Sequence, residues 1–560
     1  MMHENPRKIS SKKLAALKKT PFYPVIPSND NLLYAIEYKD GYGVLVWLSV
    51  NIQVKEIVYN EKTNECFLNV DVTRVNGDNE SGQIEYKWLS KQRISEILKF
   101  GWAYDERYSS ELITYLIKAS SVAPQKIAYQ DTGWCKIDDT LVFKTDKCLC
   151  GDNSFLADYQ YCGGTNFEHK CIEKDYFSSL NALLTTDGSK FAIVAGLSSA
   201  LLGRIKLSAS VNSIMLHIFG SSSTGKTTFL HLACSCWGNP YKSKRTWNST
   251  ENALYALLEG NNGIVTAFDE ASGVKYDFAN LIYTISDGQS RMRCGKDSSL
   301  REVSTWATTV ITTAENSLID RASCNDGLKV RCFEFFNLVI TKDSQHSFDI
   351  DRFIRNNYGV LGELFAEKLL EMSDEELMND YLSVVDKVHQ YYSSLEGYKK
   401  TQISERVFSV YALLVMTASY AQELGVDTEV NSILDVLQGH YEGLVQESKA
   451  EMLYNAVMTY IYSNGNKFAV SSNAQCSNRS FEGYTDGSYY YVVETVFNDI
   501  LQKNNISDSK VTKTQLCDEG YMVKSKDRFY HKKTIGGKPI KFYKFKILSG
   551  TKGNRKKGKE

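Results

Sequence analysis

The sequence has almost no net charge, with 65 Lys and Arg set against 66 Asp and Glu in 560 residues. That balance excludes a chain that coats a polyanion along its whole surface, so any such grip must be local. Long apolar runs are missing too. The most apolar region, 191–219, is broken by Arg204 and Lys206 and is too mixed to cross a bilayer. The first thirty residues are polar and basic, with Arg7, Lys8, Lys12, Lys13, Lys18 and Lys19 and no continuous apolar stretch, which argues against a secretory signal. The expectation is a cytoplasmic protein with no membrane partner. Regular cysteine spacing is the third absence: the 13 cysteines follow no disulfide pattern, as fits reduced core thiols. One group, Cys148, Cys150, Cys162, His169 and Cys171, has enough ligands for zinc but matches no common knuckle or ribbon, so buried thiols are the favoured reading.

A hydrophobic content of 43% in a chain of this length allows three or four domains. Charge is uneven along them. Residues 348–450 hold 18 acidic against 8 basic side chains, whereas 501–560 hold 17 basic against 5 acidic, which makes the C-terminal end the better footprint for a polyanion.

Residues 1–30 read as a basic N-terminal arm. Alternating apolar runs at 44–48, 52–59 and 66–72, a turn at 60–64, helical patterns near 91–100 and 111–120, and a strand pair opening at Thr132-Gly133-Trp134 predict an N-terminal β-rich α+β accessory domain over 31–171. From 172 to 345 strands alternate with helices, the pattern of an α/β P-loop domain with a parallel sheet. The helical period of 346–460 predicts a lid bundle. Over 461–548, helices near 492–503 and 513–519 precede two strands joined at Gly536-Gly537, which suggests a winged-helix DNA-binding domain. Residues 549–560 are a basic tail expected to be disordered.

The chemistry is concentrated at 217–228. An apolar strand runs into Gly220-Ser221-Ser222-Ser223-Thr224-Gly225-Lys226-Thr227-Thr228, and an apolar helix face follows with Phe229, Leu230, Leu232 and Ala233. The glycines allow a tight turn whose N–H groups, with the helix N-terminus, surround phosphate oxygens. Lys226 is placed for the β- and γ-phosphates and Thr227 for the accompanying magnesium, so the cofactors implied are ATP and Mg2+. About forty residues on, a buried strand at 263–270 ends in Asp269 and Glu270. The first acid can hold magnesium through water; the second can orient or deprotonate an attacking water. A kinase, which excludes water, has little use for that second acid.

Between the acidic strand and the next core strand lies a basic stretch with Arg291, Arg293, Lys296 and Arg301, which fits a β-hairpin able to track a phosphate backbone. The strand from Trp306 ends in Glu315-Asn316, next to where a γ-phosphate would sit, and either residue could sense it. Arg331 opens a later strand on the side expected to face a neighbouring subunit, where a guanidinium could reach the neighbour's nucleotide. Arg406, in the helical region, could touch the nucleotide from the lid side.

Together the P-loop, Cys236-Trp237-Gly238-Asn239-Pro240, Trp247-Asn248-Ser249-Thr250-Glu251-Asn252, Asp269-Glu270 and the Trp306 strand resemble the domain-of-unknown-function family 927 of plasmids, phages and genomic islands. The layout is similar to the Cch-type helicases of staphylococcal cassette chromosomes, AAA+ ATPases related to the MCM replicative helicases. The likeness is strongest over about 130–420. It implies a homo-oligomer, a hexameric ring that threads single-stranded and forked DNA and unwinds it 3′ to 5′ to replicate a mobile element. It also implies Walker A roles for Lys226 and Thr227, Walker B roles for Asp269 and Glu270, an arginine finger at Arg331, a lid sensor at Arg406 and a pre-sensor role for the basic hairpin. Where MCM proteins carry a sensor asparagine, this chain has Glu315 followed by Asn316. No primase motif is present, so a separate primase or single-strand-binding protein is implied.

Two other readings remain. An ATP-switched initiator or helicase loader would share the basic C-terminal module but has less need of Glu270 and the hairpin. A motor for protein substrates would want apolar pore residues, of which the hairpin offers Met292 alone.

Overall fold

The computed structural model describes residues 7–548, apart from 75, 152–153, 210, 223, 275, 293–302, 323–325, 396–397, 399–401, 446–448, 471–480, 504–509, 527 and 536–537. It is a mixed α/β protein in two compact units, one formed by residues up to 436 and the other, from Leu437, by the C-terminal residues.

The first unit opens on an eight-stranded sheet built around one strand of 19 residues, Tyr42–Asn60. Its neighbours Leu32–Lys39 and Cys66–Thr73 pair with it antiparallel, and the turn at 60–64 falls where the sequence places it. Alternate residues such as Leu48, Val50, Ile52, Leu68 and Val70 fill a core closed by helix Ser109–Val122, whose Leu112 and Leu116 are fully buried.

Five parallel strands form the second sheet. Helix α1 (Asp187–Lys206) precedes strand β1 (Ile214–Phe219) and helix α2 (Lys226–Ser235); then come β2 (Arg245–Thr246), β3 (Thr266–Asp269), helix α3 (Phe278–Asp287), β4 (Thr309–Ala314) and β5 (Cys332–Phe336). The order across the sheet is β2-β3-β4-β1-β5. Helices cover both faces, so β1 and β4 are buried along their length without alternation, as central parallel strands are, although β4 carries three threonines. Helix α1 starts with a capping box at Thr186 and Ser189 and is buried on all sides for most of its length. Gly196 lets α2 approach, since a Cβ there would lie 2.5 Å from the Ala233 oxygen. Helix α4 (Gln402–Glu423) also packs against α1. Buried Arg204 ion-pairs with Asp374 and donates to the Met372 oxygen at 3.0 Å, tying α1 to helix Asp374–Ser393.

The strands Thr132–Ile137, Thr140–Lys144 and Cys148–Cys150, which the sequence assigns to the accessory domain, form a small sheet joined by Asn261–Asn262 of the parallel-sheet domain. Asn262 pairs with Gly133, and Trp134 donates its indole N–H to the Ala200 oxygen of α1 at 2.7 Å. The accessory region is thus sewn into the parallel-sheet domain. Cys148 lies in a small apolar cluster with Tyr129 and Val142, and burial pushes its thiol up to about 11. Cys162 and Cys171 are exposed. Among the described residues no group of three or more His, Cys, Asp or Glu side chains could hold a metal.

In the second unit, helix Lys449–Ser463, which the sequence groups with the lid, packs with the C-terminal elements. These are strands β6 (Gly483–Thr485) and β7 (Tyr489–Val493), helices α5 (Glu494–Lys503) and α6 (Lys510–Asp518), and the antiparallel pair β8 (Tyr530–Ile535) and β9 (Lys538–Lys546). Its apolar face (Leu453, Val457, Ile461) meets Val492, Phe497 and Phe545, a tertiary choice that helical period alone does not reveal. No helix among the described residues is long and apolar enough to cross a membrane.

Gly133 has φ of +82°, and a Cβ on it would lie 2.1 Å from the Asn262 oxygen. Gly133→Ala therefore adds a left-handed backbone penalty of about 1–2 kcal/mol to a backbone collision. We expect a loss of about 2 kcal/mol or more and a melting temperature lower by several degrees in scanning calorimetry.

Candidate nucleotide site

The registers of β1 bring the site together. β1 pairs with β4 so that Phe219 faces Ala314, and with β5 so that Phe219 faces Phe336; β3 pairs with β4 so that Phe268 faces Thr312. The loop after β1, Asp269-Glu270 at the end of β3 and Glu315-Asn316 after β4 consequently leave the sheet at one edge, the carboxyl ends of the strands, where α/β sheets bind ligands.

Gly220 (φ +134°) and Gly225 (φ +86°) make the turns of the loop. At Gly220 a Cβ would lie 2.0 Å from the Asn337 amide oxygen, which accepts from the Ser221 N–H at 3.0 Å. Thr224 donates to the Ser221 oxygen at 3.1 Å, and Lys226 is held inside the loop by the Gly220 and Ser221 oxygens at 3.0 and 2.7 Å. Thr227, on the first turn of α2, is exposed, while Thr228 meets the Ser347 hydroxyl at 3.2 Å. Ser223 lies outside the described residues. A lysine, a threonine hydroxyl and the N–H groups of a helix start, gathered in one loop, suit a triphosphate and its magnesium.

Asp269 is held from both sides. Thr313 of β4 donates its hydroxyl to Oδ1 at 2.6 Å, and the Lys244 ammonium lies 2.7 Å from Oδ2. Glu270 takes a left-handed conformation (φ +60°), a strain of roughly 1–3 kcal/mol for a non-glycine residue, held by the Glu270 N–H donating to Thr313 Oγ1 at 3.1 Å. Its carboxylate accepts from the Ser272 N–H at 3.1 Å, the Ser272 hydroxyl accepts from the Glu315 N–H at 3.0 Å, and the Glu315 carboxylate accepts from the Ser222 hydroxyl at 2.7 Å. A chain of hydrogen bonds thus joins the acid after β3 to the phosphate loop. Asn316 is anchored by its backbone oxygen, which accepts from Nε2 of His217 at 3.1 Å.

His217 is buried in β1 beside Phe219, and burial pushes its pKa down to about 4. Glu334 of β5, the register partner of His217, is half-buried and its pKa is raised by desolvation; it accepts from the Ser317 hydroxyl at 2.6 Å and from the Leu318 and Ile319 N–H groups at 2.7 and 3.1 Å, fixing the segment after β4 a second time.

Other expected residues lie elsewhere. The Arg331 guanidinium sits over the Tyr283 ring at 4.5 Å and donates to the Gly327 oxygen at 2.9 Å, so within this chain it is folded against α3. Arg406 is exposed near the start of α4. Arg291 and Met292 are exposed, whereas Arg293, Lys296 and Arg301 fall outside the described residues. Thr313, Lys244, Ser272 and Asn337 do not stand out in the sequence. Asn337 has a φ of +48°, a backbone conformation that suits an Asn and that only the structure shows.

Residues 31–305 match the family model described as domain of unknown function (DUF927), and residues 448–550 match the one described as Cch helix turn helix domain. The chain thus carries a DUF927 region and, after it, a Cch-type helix-turn-helix region. A solved structure described as SCCmec type IV Cch, active helicase, is similar to this chain with a TM-score of 0.75 at 22% identity, covering 94% of this chain and 97% of that one. That likeness is one of fold. The curated proteins contain no match to the chain.

Thr313 supports both acids with one hydroxyl. Thr313→Val is expected to lower the ATP turnover rate about tenfold with a smaller effect on nucleotide affinity, read from steady-state hydrolysis and fluorescent-nucleotide binding. His217 binds fewer protons folded than unfolded between pH 6.5, its ordinary value, and about 4, so its contribution is complete above that window and lost as pH falls through it. The difference in melting temperature between pH 7.5 and pH 5 should narrow in His217→Gln, whose side-chain amide can still donate to Asn316.

Proposed function

We propose that this chain is an ATP-dependent DNA helicase, an MCM-like AAA+ motor that unwinds DNA for replication of a mobile element. The observation that carries this is the convergence of Lys226, Thr227, Asp269 and Glu270 at one sheet edge, with β4 inserted between the strands that bear them. That spacing leaves room for a water between the acids and the γ-phosphate, as hydrolysis needs and a kinase avoids. The Cch-type C-terminal domain and the fold shared with a protein described as an active helicase support the DNA side of the reading.

In this account ATP and Mg2+ bind at the loop. Lys226 leaves its two carbonyls for the β- and γ-phosphates, Thr227 and Asp269 hold magnesium, and Glu270 orients the water. The backbone N–H groups of residues 221–225, with Thr228 behind them, complete the cradle. Glu315 latches Ser222 when the γ-phosphate is gone, because a carboxylate only accepts hydrogen bonds; Asn316, with an amide to donate, is the γ-phosphate sensor. Arg331 swings off Tyr283 to serve a neighbour's nucleotide in a hexameric ring, and Arg406 acts from the helical lid. Arg291, Arg293, Lys296 and Arg301 grip the strand being moved, with 3′ to 5′ polarity, and a separate primase supplies primers.

Strand displacement on forked DNA with 3′ or 5′ tails tests this. The intact protein should unwind one tail polarity, Glu270→Gln should lose unwinding with hydrolysis reduced about 100-fold or more, and Arg291→Ala/Lys296→Ala should keep hydrolysis but lose displacement. DNA binding and ATP-dependent assembly with no displacement from either tail would instead identify an initiator or loader.

A further inference from the structure

The C-terminal sheet has two faces, and the helices take up one. Tyr490, Val492, Tyr543 and Phe545 belong to the core shared with helix Lys449–Ser463 and α5. Residues of the other parity share the opposite face: Tyr484 on β6, Tyr489 and Tyr491 on β7, Lys533 on β8, and Phe542, Lys544 and Lys546 on β9. The register sets Tyr489 opposite Lys546 and Tyr491 opposite Lys544. Buried Tyr484 and Phe542 make the floor, their rings 5.3 Å apart. Tyr491 lies flat on Tyr484 at 4.4 Å with 6° between the rings. The Lys544 ammonium stands 3.8 Å from the Tyr489 centroid and 5.4 Å from that of Tyr491, and Lys533 stands 5.3 Å from that of Tyr484. One carboxylate belongs to this group: Asp486, which accepts from the Tyr491 hydroxyl at 3.0 Å and the Ser488 and Tyr489 N–H groups at 3.0 and 2.9 Å. It offsets one of the three lysines.

Flat rings alternating with ammonium groups match a ligand that alternates flat bases with phosphates. Bases stack on aromatic rings whatever their identity, and lysines beside the rings neutralise the backbone between them. A duplex keeps its base faces inside the stack and could use the lysines alone, as could an acidic peptide. We propose that this face binds single-stranded nucleic acid, with bases stacked on Tyr489 and Tyr491 and phosphates held by Lys533, Lys544 and Lys546. It deepens the helicase reading, and rests on it for the supply of a single strand, while the binding itself requires neither ATP nor the motor residues.

The test is nucleotide-free binding of the full chain to a labelled thirty-nucleotide oligo-dT and to a thirty-base-pair duplex, by fluorescence anisotropy over a salt series. Tyr489→Ala should weaken oligo-dT binding about fivefold or more, Tyr489→Phe should restore it, and duplex binding should change less than twofold. Lys544→Ala should reduce the slope of log affinity against log salt by about 0.7; Lys532→Ala, an equal charge change on the other face, should leave oligo-dT binding unchanged. Because a second DNA site in the chain could mask a loss, an oligonucleotide carrying 5-iodouracil is crosslinked in parallel, and the adduct should map to Tyr489 or Tyr491. Adducts elsewhere only, equal losses for oligo-dT and duplex, or a Tyr489→Phe variant as weak as Tyr489→Ala would overturn the proposal. A chain that passes these tests but displaces no strand overturns the helicase reading instead.

Discussion

Strand β1 is bonded to β4 on one side and β5 on the other, and the place of each group at the site follows from those two registers. A slip of one residue would turn His217 and Ile218 to the wrong faces and carry the loop out of line with Asp269 and Glu315. The parallel pairing is protected by full burial. Ile214, Met215, Leu216, His217 and Ile218 are all covered, and the polar member of the run is satisfied through Nε2 by the Asn316 oxygen. The segment after β4 is held from β1 by His217 and from β5 by Glu334, so its position reflects the neighbouring strand and the one beyond it. Arg331 directly precedes β5, three residues from Glu334, which makes β5 a physical link between that arginine and the segment after β4.

The hydrogen bonds from Glu270 through Ser272 and Glu315 to Ser222 give the site a second character. Each is ordinary in length, yet together they join Glu270 at the end of β3 to the loop after β1. Glu270 sits in a strained left-handed conformation that the Thr313 hydroxyl supports. A triphosphate that draws Ser222 away from Glu315 would be felt at Glu270 without any larger movement. Lys244 plays a complementary part by pairing with Asp269, whose charge it offsets.

Much of this architecture is legible in the sequence because period and punctuation agree. The apolar run before Gly220, the glycines of the loop and the acids ending an apolar strand give the nucleotide domain directly. The turn at 60–64 is marked by its turn residues. What escapes is set by contacts distant in the chain. Helix Lys449–Ser463 has the same period whether it covers the lid or the C-terminal sheet, and only its contacts with Val492 and Phe497 decide. Asn261–Asn262 is too short to read as a strand, yet it joins the small sheet to the nucleotide domain through Gly133. Thr313 and Ser272 are common polar residues whose importance comes from what lies across the sheet.

The central claim is that one triphosphate with magnesium is held between the loop after β1 and the acids after β3. A structure of the chain with Mg2+ and a non-hydrolysable ATP analogue tests it most directly. The account predicts the Lys226 ammonium moved from the Gly220 and Ser221 oxygens to the β- and γ-phosphates, magnesium beside Thr227 and Asp269, and Ser222 released from Glu315. A nucleotide bound elsewhere, or seated in the loop with Asp269 still paired to Lys244 and no metal between them, would contradict it.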